Sequence, residues 1–123
     1  MYIATDGNGV HFLSHKDQQV THRFYHDVND KEGIRSNSIY SLLVDDRGAV
    51  WVGHFQAGLD YSLYQNGLFR TYDYPPLFNS ANLSIRSFVN RGQEKVIGSR
   101  DGLFYINEAT GVVKSFVKPV LTF

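Results

Sequence analysis

Cysteine is absent from the 123 residues, which excludes a disulfide frame, thiolate metal sites and a cysteine nucleophile. Neither sign of charge is in excess, because 12 Lys+Arg balance 12 Asp+Glu. No broad basic surface can therefore form for a phosphate backbone, and no direct nucleic-acid contact is expected. An anionic membrane finds equally little to attract. No stretch approaches the ~18 consecutive apolar residues of a spanning helix. The opening Met1-Tyr2-Ile3-Ala4-Thr5-Asp6 lacks the cationic start and apolar core of a secretory leader, so membrane association is expected only through a parent chain. What the chain does have is apolar and aromatic substance. It is 42% hydrophobic, with nine Phe, eight Tyr and one Trp, enough to build a core and to exclude a disordered polymer.

The chain repeats itself. Asp45-Asp46-Arg47-Gly48-Ala49-Val50-Trp51-Val52-Gly53-His54 is followed by Gly58-Leu59-Asp60-Tyr61, and Lys95-Val96-Ile97-Gly98-Ser99 by Gly102-Leu103-Phe104-Tyr105. At the start, Tyr2-Ile3-Ala4-Thr5 precedes Gly9-Val10-His11-Phe12. Superimposing Gly9, Gly58 and Gly102 also aligns Val20-Thr21-His22-Arg23-Phe24 with Leu68-Phe69-Arg70-Thr71-Tyr72 and Val112-Val113-Lys114-Ser115-Phe116. Upstream, Ser38-Ile39-Tyr40-Ser41-Leu42 aligns with Ser84-Ile85-Arg86-Ser87-Phe88, and the first copy has no counterpart. Repetition on this scale marks an array of similar supersecondary units.

Each complete unit reads as four short strands, in the middle copy 38–45, 49–55, 59–64 and 68–73. Asp46-Arg47-Gly48, Gln56-Ala57-Gly58 and Gln65-Asn66-Gly67 punctuate them as hairpin turns, because these residues tolerate positive φ. In the first strand Ile39, Ser41 and Leu43 are expected on one face and Tyr40, Leu42 and Val44 on the other. Both faces are largely apolar, so the sheet is expected to be covered on both sides. Four strands in about 45 residues, packed face to face with neighbours, describe a propeller blade. The expected fold is an all-β partial propeller of about two and a half four-stranded antiparallel blades: a partial blade 1 at 1–33, blade 2 at 34–81 and blade 3 at 82–123. Val20, Phe24 and Val28 at i, i+4 and i+8 suggest a helix locally. The repeat places Val20 and Phe24 on a strand instead.

The run from Asn37-Ser38-Ile39-Tyr40 through Asp45-Asp46-Arg47-Gly48-Ala49-Val50-Trp51-Val52-Gly53, with Gly58-Leu59 behind it, resembles the two-component regulator propeller repeat. Asp6-Gly7-Asn8-Gly9-Val10 and Arg100-Asp101-Gly102-Leu103 resemble the same turn. The third copy has no Trp before Ile97, and the first has Ala4 where Gly is usual. The resemblance implies part of a periplasmic sensor region of a hybrid two-component system, sensing carbohydrate fragments and signalling to a distant histidine kinase and transcriptional output. It implies no catalysis and no cofactor in this segment, and it makes the remaining blades of the parent chain the first partners.

Several motifs invite chemistry. His22 and His26 have a zinc-like spacing on a helix, but on a strand i and i+4 lie ~13 Å apart, too far for one metal. Asp27-Val28-Asn29-Asp30-Lys31-Glu32-Gly33 starts like a calcium loop and fails where Lys31 takes a ligand position and Glu32 the place of the turn glycine. No metal site is therefore expected. Trp51, flanked by Val50 and Val52, suits packing between blades better than sugar stacking.

Propeller function is carried by loops on a rigid scaffold. The loops that join second to third strands and blade to blade emerge together, and they hold His54, Gln56, Tyr74, Arg100 and Asp101. Aromatic and bidentate polar groups of this kind suit sugar hydroxyls and carboxylates, so these five are the expected ligand contacts, with an oligosaccharide as ligand. Two rival readings are a propeller lyase or hydrolase and a structural spacer. An enzyme would need a His and a carboxylate on inner-strand ends, and the strands at 38–45 and 84–90 carry no His. Residues 120–123 add a β-prone stretch without a partner in their own repeat, so exposed blade edges are expected to drive self-association.

Overall fold

The computed structural model describes residues 1–63, 68–71, 84–100 and 102–117, and these form strands and turns with no helix among them. Three antiparallel sheets follow one another along the chain. Blade 1 contains β1 (Tyr2–Ala4), β2 (Val10–Leu13) and β3 (Val20–Phe24). Blade 2 contains β4 (Ile39–Val44), β5 (Val50–His54), β6 (Leu59–Ser62) and β7 (Arg70–Thr71). Blade 3 contains β8 (Ile85–Arg91), β9 (Glu94–Ser99), β10 (Gly102–Asn107) and β11 (Val112–Val117). Strand order equals chain order in each sheet, so every connection within a blade is a hairpin. Of the residues that suggest a helix, Val20 and Phe24 lie in β3, where cross-strand pairing with β2 outweighs the local period, and Val28 lies in a turn beyond it. The stretches at 72–83 and 118–123, including the proline connection and the β-prone tail, lie outside the described residues.

Sheets stack through two apolar layers. Between blades 1 and 2 lie Val10, Phe24, Ile34, Ile39, Val50, Val52 and Phe69, all buried. Between blades 2 and 3 lie Ala49, Trp51, Leu59, Ile85, Ile97 and Phe104. Trp51 is 1% exposed and stacks on Tyr61 at 5.2 Å between centroids, so the only tryptophan of the chain is a packing residue. Blade 2 thus has one face for each neighbour, as the two-sided apolar pattern requires.

The simple alternation expected for β4 is broken. Ile39 pairs with His54 but Ser41 pairs with Gly53, so Tyr40 is an extra, bulged residue. Ile39 therefore joins Leu42 in the layer against blade 1, while Leu43 turns toward blade 3. Arg86 occupies the same bulge in β8, between Ile85 paired with Ser99 and Ser87 paired with Gly98. A bulge shifts phase by one residue, which no period-2 reading contains.

The turns at Gly9 and Gly58 share one geometry. Thr5 N–H donates to Gly9 O at 3.1 Å and His54 N–H to Gly58 O at 2.9 Å, with φ of 73° and 77° at the glycines. The turn at Gly102 closes one residue sooner, because Gly102 pairs directly with Ser99 and its φ is 144°. All three need glycine, since these φ values crowd a Cβ.

Candidate functional site

Serine at the head of each inner strand organises the loop end of the blades. The carbonyl of Ser38 accepts from Phe55 N, and the carbonyl of Ser84 accepts from Arg100 N at 3.2 Å; each contact ties an inner strand to the second-to-third-strand turn of its own blade. The turn of the preceding blade is tied to the same residues. Asp6 forms a bridge with Ser38, and Gln56 N–H donates to Ser84 Oγ at 3.0 Å. Gln56 and Arg100, both exposed, are therefore brought to one buried serine from two different blades. Gln56 holds φ at 52°, an uncommon conformation for a residue with a Cβ. Tyr74 and Asp101 lie outside the described residues.

His54 takes a different place from the one expected of a ligand contact. Its side chain is wholly buried, with Nε2 donating to Asp60 Oδ2 at 2.8 Å and Nδ1 3.0 Å from Ser36 Oγ. Arg35 adds N–H to Asp60 Oδ2 at 3.0 Å, an ion pair to Oδ1 at 3.6 Å and a bond from Nη1 to Ala57 O at 2.8 Å. Serine, histidine and aspartate in contact have the composition of a nucleophilic triad. Here the imidazole is sealed from solvent, out of reach of a substrate, and the set joins the incoming connection at 34–38 to the turn at 54–58. The spacing of His54 and Asp60, six residues apart across a hairpin, was the available sequence signal.

The two bulges aim a second group of side chains outward. Tyr40 and Phe55, each about two-fifths exposed, meet at 5.0 Å between centroids with planes tilted 34°. Arg86, on the neighbouring blade, holds its guanidinium 6.0 Å from the Tyr40 ring centre. Two half-open aromatic rings beside an exposed guanidinium offer apolar faces for ring C–H groups and a planar fork for a carboxylate. Neither Tyr40 nor Arg86 was legible as a site residue, because alternation alone assigns them to a packed face.

The opposite end of blades 2 and 3 is locked by charge. Asp45 accepts from Trp51 Nε1 at 3.1 Å, Ala49 N at 3.0 Å and Arg47 N at 2.9 Å. Burial pushes its carboxyl pKa upward, but these bonds together with the Arg47 guanidinium outweigh burial and leave it lowered. Lys95, wholly buried, sits 2.8 Å from Glu108 and 3.7 Å from Asp45, and 5.6 Å above the Trp51 ring. Arg47 also pairs with Glu108, whose hydrogen bond is the main reason its pKa is raised. A cleft of about 240 Å³ beside Asp45, Asp46, Arg47, Gly92 and Gln93 opens at this end. The acidic stretch at 27–33 folds on itself: Asp27 accepts from Asn29 N and Asp30 from Glu32 N. His22 stacks on Phe12, and His26 Nδ1 lies 2.8 Å from Ile34 O. Among the described residues no group of three or more His, Asp or Glu is placed to hold a metal ion.

Stacked antiparallel blades with loops tied through inner-strand serines define the chain as an open β-propeller segment. Residues 33–56, which carry Tyr40, His54 and Phe55, match the family model described as two component regulator propeller. Among solved structures, the chain is similar to the extracellular domain of BT4673 from B. thetaiotaomicron, designated a hybrid two component system, with a TM-score of 0.77 and 24% identity. The match covers 94% of this chain and 15% of that one. A second structure of BT4673, designated a one component system, gives a TM-score of 0.73 at 24% identity, over 93% of this chain and 15% of that one. The extracellular domain of the hybrid two component system BT3049 from the same organism gives 0.77 at 18% identity, over 94% and 16%. This chain therefore corresponds to a small part of the structures it matches. Comparison with curated protein sequences finds no significant match.

Proposed function

We propose that this chain is a non-enzymatic part of the extracytoplasmic, periplasmic sensor region of a hybrid two-component system. It takes part in recognising a carbohydrate fragment and passes a rearrangement on to a distant histidine kinase. The observation that carries the reading is the match of residues 33–56 to the two component regulator propeller, because that segment holds two of the three side chains in the exposed cluster. Likeness in fold to extracellular domains of two-component systems supports the extracytoplasmic placement. Tyr40 and Phe55 provide apolar ring faces, and Arg86 provides the charge that favours a sugar bearing a carboxylate. Gln56 and Arg100, tied to Ser84, supply further polar groups on the same end of the blades.

Calorimetric titration of the chain with neutral and uronate-bearing oligosaccharides tests this reading. The expected result is binding of at least one uronate-bearing member, weakened roughly tenfold by Arg86→Ala and by Tyr40→Ala, as for truncating a polar or aromatic anchor. Both variants should keep the wild-type thermal midpoint. Heat from no member of the panel rejects carbohydrate recognition by this segment and favours a spacer.

A further inference from the structure

The turns at 5–9 and 54–58 follow one plan, and one difference between them bears on binding. Thr5-Asp6-Gly7-Asn8-Gly9 matches His54-Phe55-Gln56-Ala57-Gly58, and the same main-chain bond, from the first residue to the last, closes both. At the third position blade 1 has Gly7, with φ of 106°, and blade 2 has Gln56, with φ of 52°. Left-handed backbone is open to glycine and strains a residue that carries a Cβ. Blade 2 thus keeps a side chain where its fold favours none. That side chain is exposed, and its amide has no hydrogen-bond partner among the described residues. Its neighbours are those of the exposed cluster. Phe55, the residue before it, meets Tyr40, and Gln56 N–H is held by Ser84 Oγ, two residues ahead of Arg86. Gln18, with φ of 54°, is the other non-glycine residue in this conformation among the described residues. Its turn follows β2, at the opposite end of blade 1 from the turn at 5–9, and its N–H donates to Ser14 O at 3.0 Å.

We infer that Gln56 is the specificity-determining residue of the exposed cluster, reading the orientation of a sugar hydroxyl beside the carboxylate that Arg86 attracts. The inference rests on the carbohydrate reading above. Strain of this kind persists at sites where the strained residue is used, and the main-chain tie to Ser84 fixes where the Gln56 side chain starts. A primary amide carries two donors and an acceptor, whereas a guanidinium carries donors only. The ring faces of Tyr40 and Phe55 take C–H groups from either side of a sugar. An amide on a fixed backbone pairs with a hydroxyl in one orientation and is left unpaired by its epimer, and unpaired polar groups are what make such sites selective.

Calorimetric titration with glucuronate- and galacturonate-terminated disaccharides of otherwise identical structure provides the test, because the two sugars differ in the orientation of one ring hydroxyl. Wild type should prefer one of them roughly tenfold or more. Gln56→Gly should bring the ratio close to one by losing affinity for the preferred sugar. It should also raise the thermal midpoint by about 2–5 °C, as relief of a left-handed residue does. Gln18→Gly should raise the midpoint in the same way and leave both affinities unchanged. Arg86→Ala should weaken both sugars and keep their ratio. The inference is overturned by a wild type that binds both sugars alike, by a Gln56→Gly variant that keeps the wild-type ratio, or by a Gln56→Gly midpoint no higher than that of wild type; in each case the carbohydrate reading stands. A wild type that binds neither sugar also overturns it, and if the rest of the oligosaccharide panel is silent the carbohydrate reading falls as well.

Discussion

Ser41 Oγ donates a hydrogen bond to the main-chain carbonyl of Ile85 at 2.8 Å, joining the inner strand of blade 2 to that of blade 3. The hydroxyl lies directly across from Gly53, where a Cβ would sit 2.1 Å from Ser41 Oγ and 2.7 Å from Ile85 Cγ2. Glycine is required here by close approach, not by conformation. The same pair recurs as Ser87 and Gly98 in blade 3, where a Cβ would meet Ser87 Oγ at 2.3 Å and the next side-chain atom at 3.7 Å.

That difference sets an order of stability. Gly53→Ala should cost about 1–3 kcal/mol, as overpacking in a core does, since both Ser41 and Ile85 must move. Gly98→Ala should cost clearly less, because the exposed Ser87 hydroxyl can rotate away. Urea unfolding of the two variants decides it, and equal losses would show that the blade joint does not limit the space at Gly53.

Trp51→Ala should destabilise the chain by about 3 kcal/mol or more, the usual result of truncating a buried large aromatic. It also strips Asp45 of its indole donor. Binding of any ligand by protein that remains folded should be nearly unchanged, because Trp51 faces the adjoining blade. A large loss of affinity with an unchanged thermal midpoint would make Trp51 a binding platform instead.

The repeat, the three sheets and the packing role of Trp51 were legible in the sequence, because glycine spacing and aligned apolar positions survive in all copies. The exposed cluster was not. Tyr40 and Arg86 owe their outward aim to bulges, and a bulge announces itself by register against a partner strand rather than by composition. His54 misled for the opposite reason. Its place beside a turn suggests exposure, whereas Asp60 and the connection carrying Arg35 and Ser36 close over it. Lys95 was equally silent: it stands at the position of Val50 and is made acceptable by Asp45, Glu108 and the Trp51 ring.

Asp45 should make stability depend on acidity. Its folded pKa lies below the usual value of 3.8, so the ionised form is favoured by folding. The contribution is fully present above that usual value and is lost as pH falls through the lower folded value. Asp45→Asn should therefore be less stable than wild type at neutral pH, and the gap should narrow progressively in acid below 3.8. Thermal unfolding of both proteins across that range checks the sign. A gap that widens in acid contradicts it.

Breaking the His54–Asp60 contact should cost about 1–3 kcal/mol, the range for leaving a buried hydrogen-bonding group without its partner. His54→Ala and Asp60→Asn should each show most of this loss. The double variant should lose little more than either alone, because the two groups serve one joint. Independent, additive losses in a double-mutant cycle would mean that Arg35 and Ser36 hold the connection without them.

The bulge also separates two tasks within a single strand. In the sets Ile39, Ser41, Leu43 and Ile85, Ser87, Val89, the isoleucine is buried between blades in both copies, and Ser41 is held by Ile85 of the next blade. The residue looped out between the first two of each set has no such obligation, and the two copies spend it differently, on a phenol and on a guanidinium. Each blade therefore displays one interchangeable letter at a constant address. Recognition can be rewritten letter by letter while the frame that holds the alphabet in place keeps its spelling.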